Sequence, residues 1–310
     1  MKKRFAFLML CLAAFALSAC AQQPPEILKE ETPSGAQVIE AAPQEEAALQ
    51  FTATLYFRHG ETGLLRQESR QITMLPNETR ERALISALLE GSRLAGSRPL
   101  FPEKTEVLST QAQGGIIYVT FNEALYDRYS DEDTAWEDSV LRRQLAMAAL
   151  TATLTESGEY RAVQVLVRAE ENVGRSMRLT NRFFWAEDEN IVSPLTRQQD
   201  SLPTPSAYAR EMLRAWQNRD PETLLSFAAY GGGRPQDWLE RMPALLSFAV
   251  YDGTVSPEAN SAVVCADLIL RDRDGMEIRM DACPVALTRE GGAWKVSLAQ
   301  LGAIMGESNE

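Results

Sequence analysis

Arg82-Ala-Leu-Ile-Ser-Ala-Leu-Leu-Glu-Gly91 decides the fold class of this chain. Leu84, Ile85 and Leu88 recur at helical spacing and Gly91 is a natural stop, so Glu78 to Glu90 reads as a helix with one apolar face. Strand-like runs flank it. Phe51-Thr-Ala-Thr-Leu-Tyr-Phe57 and Gln71-Ile-Thr-Met74 precede it, joined across a glycine-containing turn. Glu106–Thr110 and Ile116–Phe121 follow it, with Gly114-Gly115 as the turn between them. A longer helix is expected from Thr134, where Thr134-x-x-Glu137 has the spacing of a capping box. Its apolar stripe is Trp136, Val140, Leu141, Leu145, Ala148, Ala149 and Ala152. Val163-Gln-Val-Leu-Val167 closes the set as a strand, making residues 51–192 one α+β domain.

This arrangement resembles the GerMN domain of sporulation and spore-germination lipoproteins. The likeness is carried by Leu55-Tyr56-Phe57, by the Arg82–Gly91 helix and by the hairpin Gly115-Ile-Ile-Tyr-Val-Thr-Phe-Asn-Glu123. The passage Ala149-Leu-Thr-Ala-Thr-Leu-Thr155, then Val163 to Val167, completes it. The resemblance implies a role in a sporulation or germination programme, or as an accessory to a membrane sensor. It also implies protein–protein contact through a sheet edge or helix face.

The amino terminus says where such a domain works. Lys2, Lys3 and Arg4 precede an apolar run from Phe5 to Ala16, and Leu17-Ser18-Ala19-Cys20 follows. A basic flank, a short apolar core and a small-residue exit make residues 1–19 an export signal rather than a spanning helix. Leu-Ser-Ala-Cys resembles the lipobox of bacterial lipoproteins, which implies that Cys20 is acylated, as with palmitate, and becomes the mature terminus. The competing reading is an ordinary cleaved signal with an incidental cysteine. Each buried methylene contributes roughly 0.8 kcal/mol, so acyl chains on Cys20 would hold the body at a cell membrane, on its extracytoplasmic face. Residues 20–50 are rich in Pro, Gln, Glu and Ala and read as a disordered tether. Its mean reach is on the order of 30 Å.

Composition narrows the partners. The chain of 310 residues is 45% hydrophobic and 24% charged, with a formal charge of -12. Removing Lys2, Lys3 and Arg4 with the signal leaves 28 basic against 43 acidic residues, or -15. Nucleic acid is therefore not an expected partner, and neither is an anionic headgroup surface. The expected partners are the membrane, through the lipid, and other envelope proteins.

Residues 193–205 contain prolines and polar residues and read as a linker. In 206–305 helices come first and strands after. Thr204-Pro205 and Asp220-Pro221 each combine a cap residue with proline at the first helical position. A third helical piece is expected over 236–245, then strands near 246–256, 261–271, 276–288 and 293–298. Helices followed by a curved antiparallel sheet resemble the nuclear-transport-factor-like cone, most closely in Arg214-Ala-Trp-Gln-Asn-Arg-Asp-Pro-Glu-Thr-Leu-Leu225. Placing the apolar faces of the two central strands opposite each other, around a turn at Asp274, sets Leu268 against Met280 and Arg271 against Glu277. The same register sets Asp267 against Asp281. It also sets Cys265 opposite Cys283, at a Cβ separation of ~4.5–5.5 Å, as a disulfide candidate.

One motif suggests catalysis. Phe57-Arg58-His59-Gly60-Glu61-Thr62 resembles the nucleophile motif of histidine phosphatases, in which histidine takes a phosphoryl group and arginine holds its oxygens. That family needs a second histidine, and His59 is the single histidine of this chain. The plainer reading is a polar turn between the first two strands. No zinc spacing, EF-hand loop or serine-hydrolase motif is present, and Gly231-Gly-Gly233 lacks the context of a phosphate loop. No catalytic residue, metal or cofactor is therefore expected. The sequence reads as a non-enzymatic lipoprotein of two small α+β domains. The rivals are a wall-fragment-binding C-terminal domain and a hydrolase working through Arg58-His59 or through clustered acids.

Overall fold

In a computed structural model, residues 48–95, 97–130, 136–169, 175–229, 239–240 and 242–297 are described. The stretch expected as an export signal, Cys20, the expected tether up to residue 47, Thr134, the Trp136 side chain and Gly231–Gly233 lie outside them. No helix among the described residues is long and apolar enough to cross a membrane.

Leu49–Arg58 (β1) pairs antiparallel with Leu65–Met74 (β2). β2 starts earlier than its hydrophobic pattern predicts, and the reason is chemical. Its inward positions include Glu68 and Arg70 as well as Ile72, and all three are buried. Arg70 Nε donates to Glu68 Oε1 at 2.9 Å, while Nη1 and Nη2 donate to the carbonyls of Ala87 (2.9 Å) and Gly91 (2.8 Å). Those carbonyls end Arg80–Leu89 (α1), so a buried ion pair satisfies groups the helix leaves unmade. At the other end of α1, Thr79 accepts from the Arg82 N–H at 3.2 Å.

Val107–Gln113 (β3) and Ile116–Asn122 (β4) form the expected hairpin. Gly114 (φ 60) and Gly115 (φ 74) supply the two left-handed residues that such a tight turn requires. Trp136–Leu154 (α2) then carries the chain to Ala162–Arg168 (β5), which runs parallel to β4. Met177–Arg178 (β6) completes a sheet ordered β3-β4-β5-β6. Leu145, Ala148, Ala149 and Ala152 of α2 are buried with Val119, Phe121, Val163 and Val165, so the C-terminal part of the predicted stripe is core, while Val140 and Leu141 are half-buried.

The second body begins as the caps predict. Thr204 accepts from the Ala207 N–H ahead of Pro205–Gln217 (α3), and Asp220 accepts from the Thr223 N–H ahead of Pro221–Ser226 (α4). Tyr208, Met212 and Trp216 face a sheet ordered β11-β10-β9-β7, made of Ala244–Val250 (β7), Ser261–Arg271 (β9), Glu277–Glu290 (β10) and Ala293–Val296 (β11). Thr254–Val255 (β8) pairs with β9. The molecule is thus of mixed α+β class, with a curved antiparallel sheet in its C-terminal part. Two predicted boundaries are corrected: Ala244 and Leu245 are strand, not helix, and the run 246–256 breaks between β7 and β8.

The β9–β10 register holds for its first half only. Arg271 faces Glu277 and Leu268 faces Met280, as derived, with Leu270 facing Ile278 between them. A bulge between Met280 and Cys283 then shifts every later pair by one residue. Ala282 sits in it at φ 53, its N–H donating to Asp267 Oδ1 at 2.7 Å. The extra residue swaps faces. Cys283 turns into the core opposite Ala266, while Cys265 lies on the outer face opposite Pro284, and both thiols are free. The Cys265–Cys283 bridge is therefore not made. The predicted Asp267–Asp281 confrontation is also resolved. Asp267 takes the Ala282 N–H and the Tyr251 hydroxyl (2.7 Å), and Asp281 pairs with Arg279 at 2.9 Å.

Candidate functional site

The Arg58–Thr62 turn is the one place where the sequence hints at chemistry, and it is not a solvated polar turn. Arg58 and His59 are 1% and 3% exposed. Arg58 folds back on its own loop, Nε donating to Thr62 O at 3.0 Å and Nη2 to Glu61 O at 2.7 Å, while Nη1 pairs with Asp138 of α2 at 2.7 Å. Its guanidinium is occupied in holding the turn shut. Thr62 Oγ1 donates to His59 O at 2.6 Å, and the His59 N–H donates to Leu64 O at 2.8 Å.

The turn is pushed into the second body. His59 packs between the rings of Tyr208 (5.1 Å) and Phe227 (5.2 Å), and its Nε2–H donates to Ser226 O at 3.0 Å. Because Nε2 carries the hydrogen, Nδ1 is the bare nitrogen; it is buried and has no hydrogen-bond partner among the described residues. Lys295 Nζ donates to the same carbonyl. Burial, and then the positive charges of Lys295 and Arg66, push the His59 pKa down to about 3. Burial likewise lowers that of Lys295. Leu64, two residues past the turn, belongs to the C-terminal core.

Three hydrogen bonds to the main chain fix the joint. Gln67 N–H donates to Gly292 O at 3.1 Å, Tyr208 OH donates to Leu65 O at 2.8 Å, and Trp294 Nε1 donates to Pro203 O at 2.9 Å. At Gly292 (φ 76) a Cβ would stand 1.6 Å from Gln67 O, so only glycine permits the approach. The segment expected as a linker is held as well. Leu195 exchanges backbone bonds with Val163, and Arg197 Nη2 donates to Tyr56 OH and Glu156 Oε2, both at 2.7 Å.

Together these interactions make a joint and not a reaction centre. A nucleophilic imidazole must present a nitrogen to substrate beside a mobile cation. Here one nitrogen is bonded to a carbonyl, the other is enclosed, and the neighbouring guanidinium is locked in its own loop. Sequence reasoning named Arg58 and His59 but missed Ser226, Lys295, Tyr208 and Gly292, which give them their role. The only available signal was the pair Gly291-Gly292 before the last strand, which reads as an ordinary turn. Cys20 lies outside the described residues, and Cys265 and Cys283 stand on opposite faces of one sheet. Among the described residues no cluster of metal-ligating side chains is found.

One family model and several solved structures are similar to part of this chain. The family model for sporulation and spore germination, Germane, matches residues 54–172. The tandem GerMN domains of the sporulation protein GerM from Bacillus subtilis are 18% identical, over 48% of this chain and 47% of that one, with a TM-score of 0.33. The chain thus spans about half the length of that structure. The first GerMN domain alone is 18% identical over 47% of this chain and 98% of the domain, with a TM-score of 0.32. A protein of Clostridium perfringens described as a candidate lipoprotein is 16% identical over 48% and 88%, with a TM-score of 0.26. No curated protein matches the chain. Over residues 54–172 the chain is thus similar to the sporulation and spore germination family.

Proposed function

We propose that this protein is a non-enzymatic lipoprotein, held at the extracytoplasmic face of a membrane through Cys20, that acts by contact with envelope proteins in a sporulation or germination programme. One observation carries the reading. The family-matched domain commits its single catalytic-looking motif, Arg58–Thr62, to a buried joint with the body that follows it. A lipobox-like Leu17-Ser18-Ala19-Cys20 and the acidic, tether-like 20–50 segment support the anchored placement. The rival in which the C-terminal sheet encloses a small ligand finds less support. Its interior is filled by Tyr208, Trp216, Phe227 and Trp294, all at most 3% exposed.

Chemical crosslinking of the full chain in its own membranes, followed by quantitative recovery, tests the reading. The expected result is one or two envelope proteins recovered near equimolar ratio. Recovery of abundant lipoproteins alone, in proportion to their abundance, counts against a contact function. Turnover of a phosphoester or glycan substrate that survives His59→Gln would return the question to enzymology at another site.

A further inference from the structure

A cleft of about 600 Å³ opens beside β5, β6 and the two 3-10 turns Glu123–Tyr126 and Asn181–Phe184. Its charge is unusual for this chain. Four guanidinium groups line it, those of Arg128, Arg143, Arg178 and Arg182, against the carboxylates of Glu123 and Glu189. The chain as a whole carries -12. A local positive excess on an acidic surface concentrates anions at one place.

Arg143 is the fixed part of the cleft. It is 3% exposed and lies between the rings of Phe183 (4.9 Å) and Trp185 (4.8 Å). Its terminal nitrogens donate to the carbonyls of Phe183 (2.8 Å), Tyr126 (2.9 Å) and Asp127 (3.0 Å), and Nε is buried without a hydrogen-bond partner among the described residues. Carbonyl dipoles orient the cation and the nearby Asp127 carboxylate offsets part of its charge, which leaves the cleft's positive excess on Arg128, Arg178 and Arg182. Trp185 is held at φ 60, a left-handed conformation that is costly for a bulky side chain and is kept only where the surroundings enforce it. That turn of the backbone lays the indole over Arg143 as one wall of the cleft.

Arg178 and Arg182 are the adaptable part. Both are exposed. Arg182 meets Glu189 at 3.7 Å with both side chains 76% exposed, a pair that contributes little and can be exchanged for another carboxylate. Arg178, on β6, makes no ion pair among the described residues. Beside it Met177 and Ile191 are 61% and 59% exposed, an apolar shoulder next to the cations.

We propose that this cleft docks an acidic, extended segment of a partner protein, with segment carboxylates on Arg178 and Arg182 and an apolar side chain against Trp185 and Met177. The assignment rests on the contact function proposed above and names the chemistry of the contact.

Isothermal titration of the full chain in detergent micelles with the peptide acetyl-Glu-Glu-Phe-Glu-Glu-amide tests it, with acetyl-Gln-Gln-Phe-Gln-Gln-amide as control. The native chain is expected to bind the first and not the second. Arg178→Glu/Arg182→Glu should weaken binding about a hundredfold, about tenfold for each charge-assisted hydrogen bond removed. Arg271→Glu/Arg279→Glu, the same charge change on exposed residues of β9 and β10, should leave it unaltered. Arg178→Gln/Arg182→Gln, which adds no repulsion, should lie between them, and unchanged urea midpoints establish that each variant is folded. No binding by the native chain, equal binding of both peptides, or equal weakening in the two charge-reversed variants overturns the assignment. If the cleft variant still captures the same crosslinked partner in membranes, the contact function stands and this site falls. If the native chain captures none, the contact function itself falls.

Discussion

Acidification should loosen the joint through His59, whose buried imidazole resists protonation. In the folded chain the imidazole is neutral, because burial and two nearby cations hold its pKa at about 3 against an ordinary 6.5. The unfolded chain therefore binds a proton between those values that the folded chain refuses. Stability rises with pH where the unfolded state binds more protons, so the contribution of His59 is present above the unfolded pKa and is withdrawn as the pH falls. From pH 7 to pH 4.5 the withdrawn support is about 2.5 kcal/mol, taken from the ordinary histidine pKa with no protonation of the folded form. Carboxylates titrate over the same range, so the comparison is with His59→Gln, which keeps a donor for Ser226 O and has nothing to titrate. Urea unfolding at both pH values, followed by tryptophan fluorescence, measures the difference. The native chain should lose about 2.5 kcal/mol more than the variant on acidification. Equal losses would mean that His59 reaches solvent in the folded state, and the buried joint would be wrong.

Gly292→Ala should cost about 3 kcal/mol or more, because the new Cβ meets Gln67 O, whereas Gly291→Ala, also at positive φ but with no atom within 4 Å, should cost only about 1–2 kcal/mol. Denaturant midpoints of the two variants compare them, and equal shifts would refute the close approach of the β10–β11 turn to β2. Glu68→Leu leaves buried Arg70 with two carbonyls and only the exposed Glu90 carboxylate, at 3.6 Å, and should cost about 3 kcal/mol, while Glu68→Leu/Arg70→Met should cost less than the summed single changes. In native protein, maleimide should label Cys265 well before Cys283, whose thiol burial keeps protonated, and an unreduced mass showing a Cys265–Cys283 bridge would contradict the bulged register.

Where hydrophobic spacing or a cap set an element, the sequence was readable. Thr204-Pro205 and Asp220-Pro221 start α3 and α4 where their chemistry says, and Gly114-Gly115 closes the β3–β4 hairpin. The first half of β2 was hidden because its inward residues, Glu68 and Arg70, are charged, and they are tolerated only through Ala87, Gly91 and Ser92, which are distant in sequence. The β9–β10 register failed at one residue. Ala282 has no turn signature, and the bulge around it is held by Asp267 from the neighbouring strand. The role of His59 was illegible for the same reason: Ser226, Phe227 and Lys295 come from the other body, 167 residues and more along the chain.

Mass spectrometry of the mature amino-terminal peptide, taken from membranes, tests the central claim most directly, since the proposed contact function depends on the anchor at Cys20. The account predicts a peptide beginning at Cys20 with the added mass of acyl chains, and release of the Cys20→Ala chain from the membrane fraction. A peptide beginning at Met1, or an unmodified Cys20 on a chain that still sediments with membranes, would contradict it.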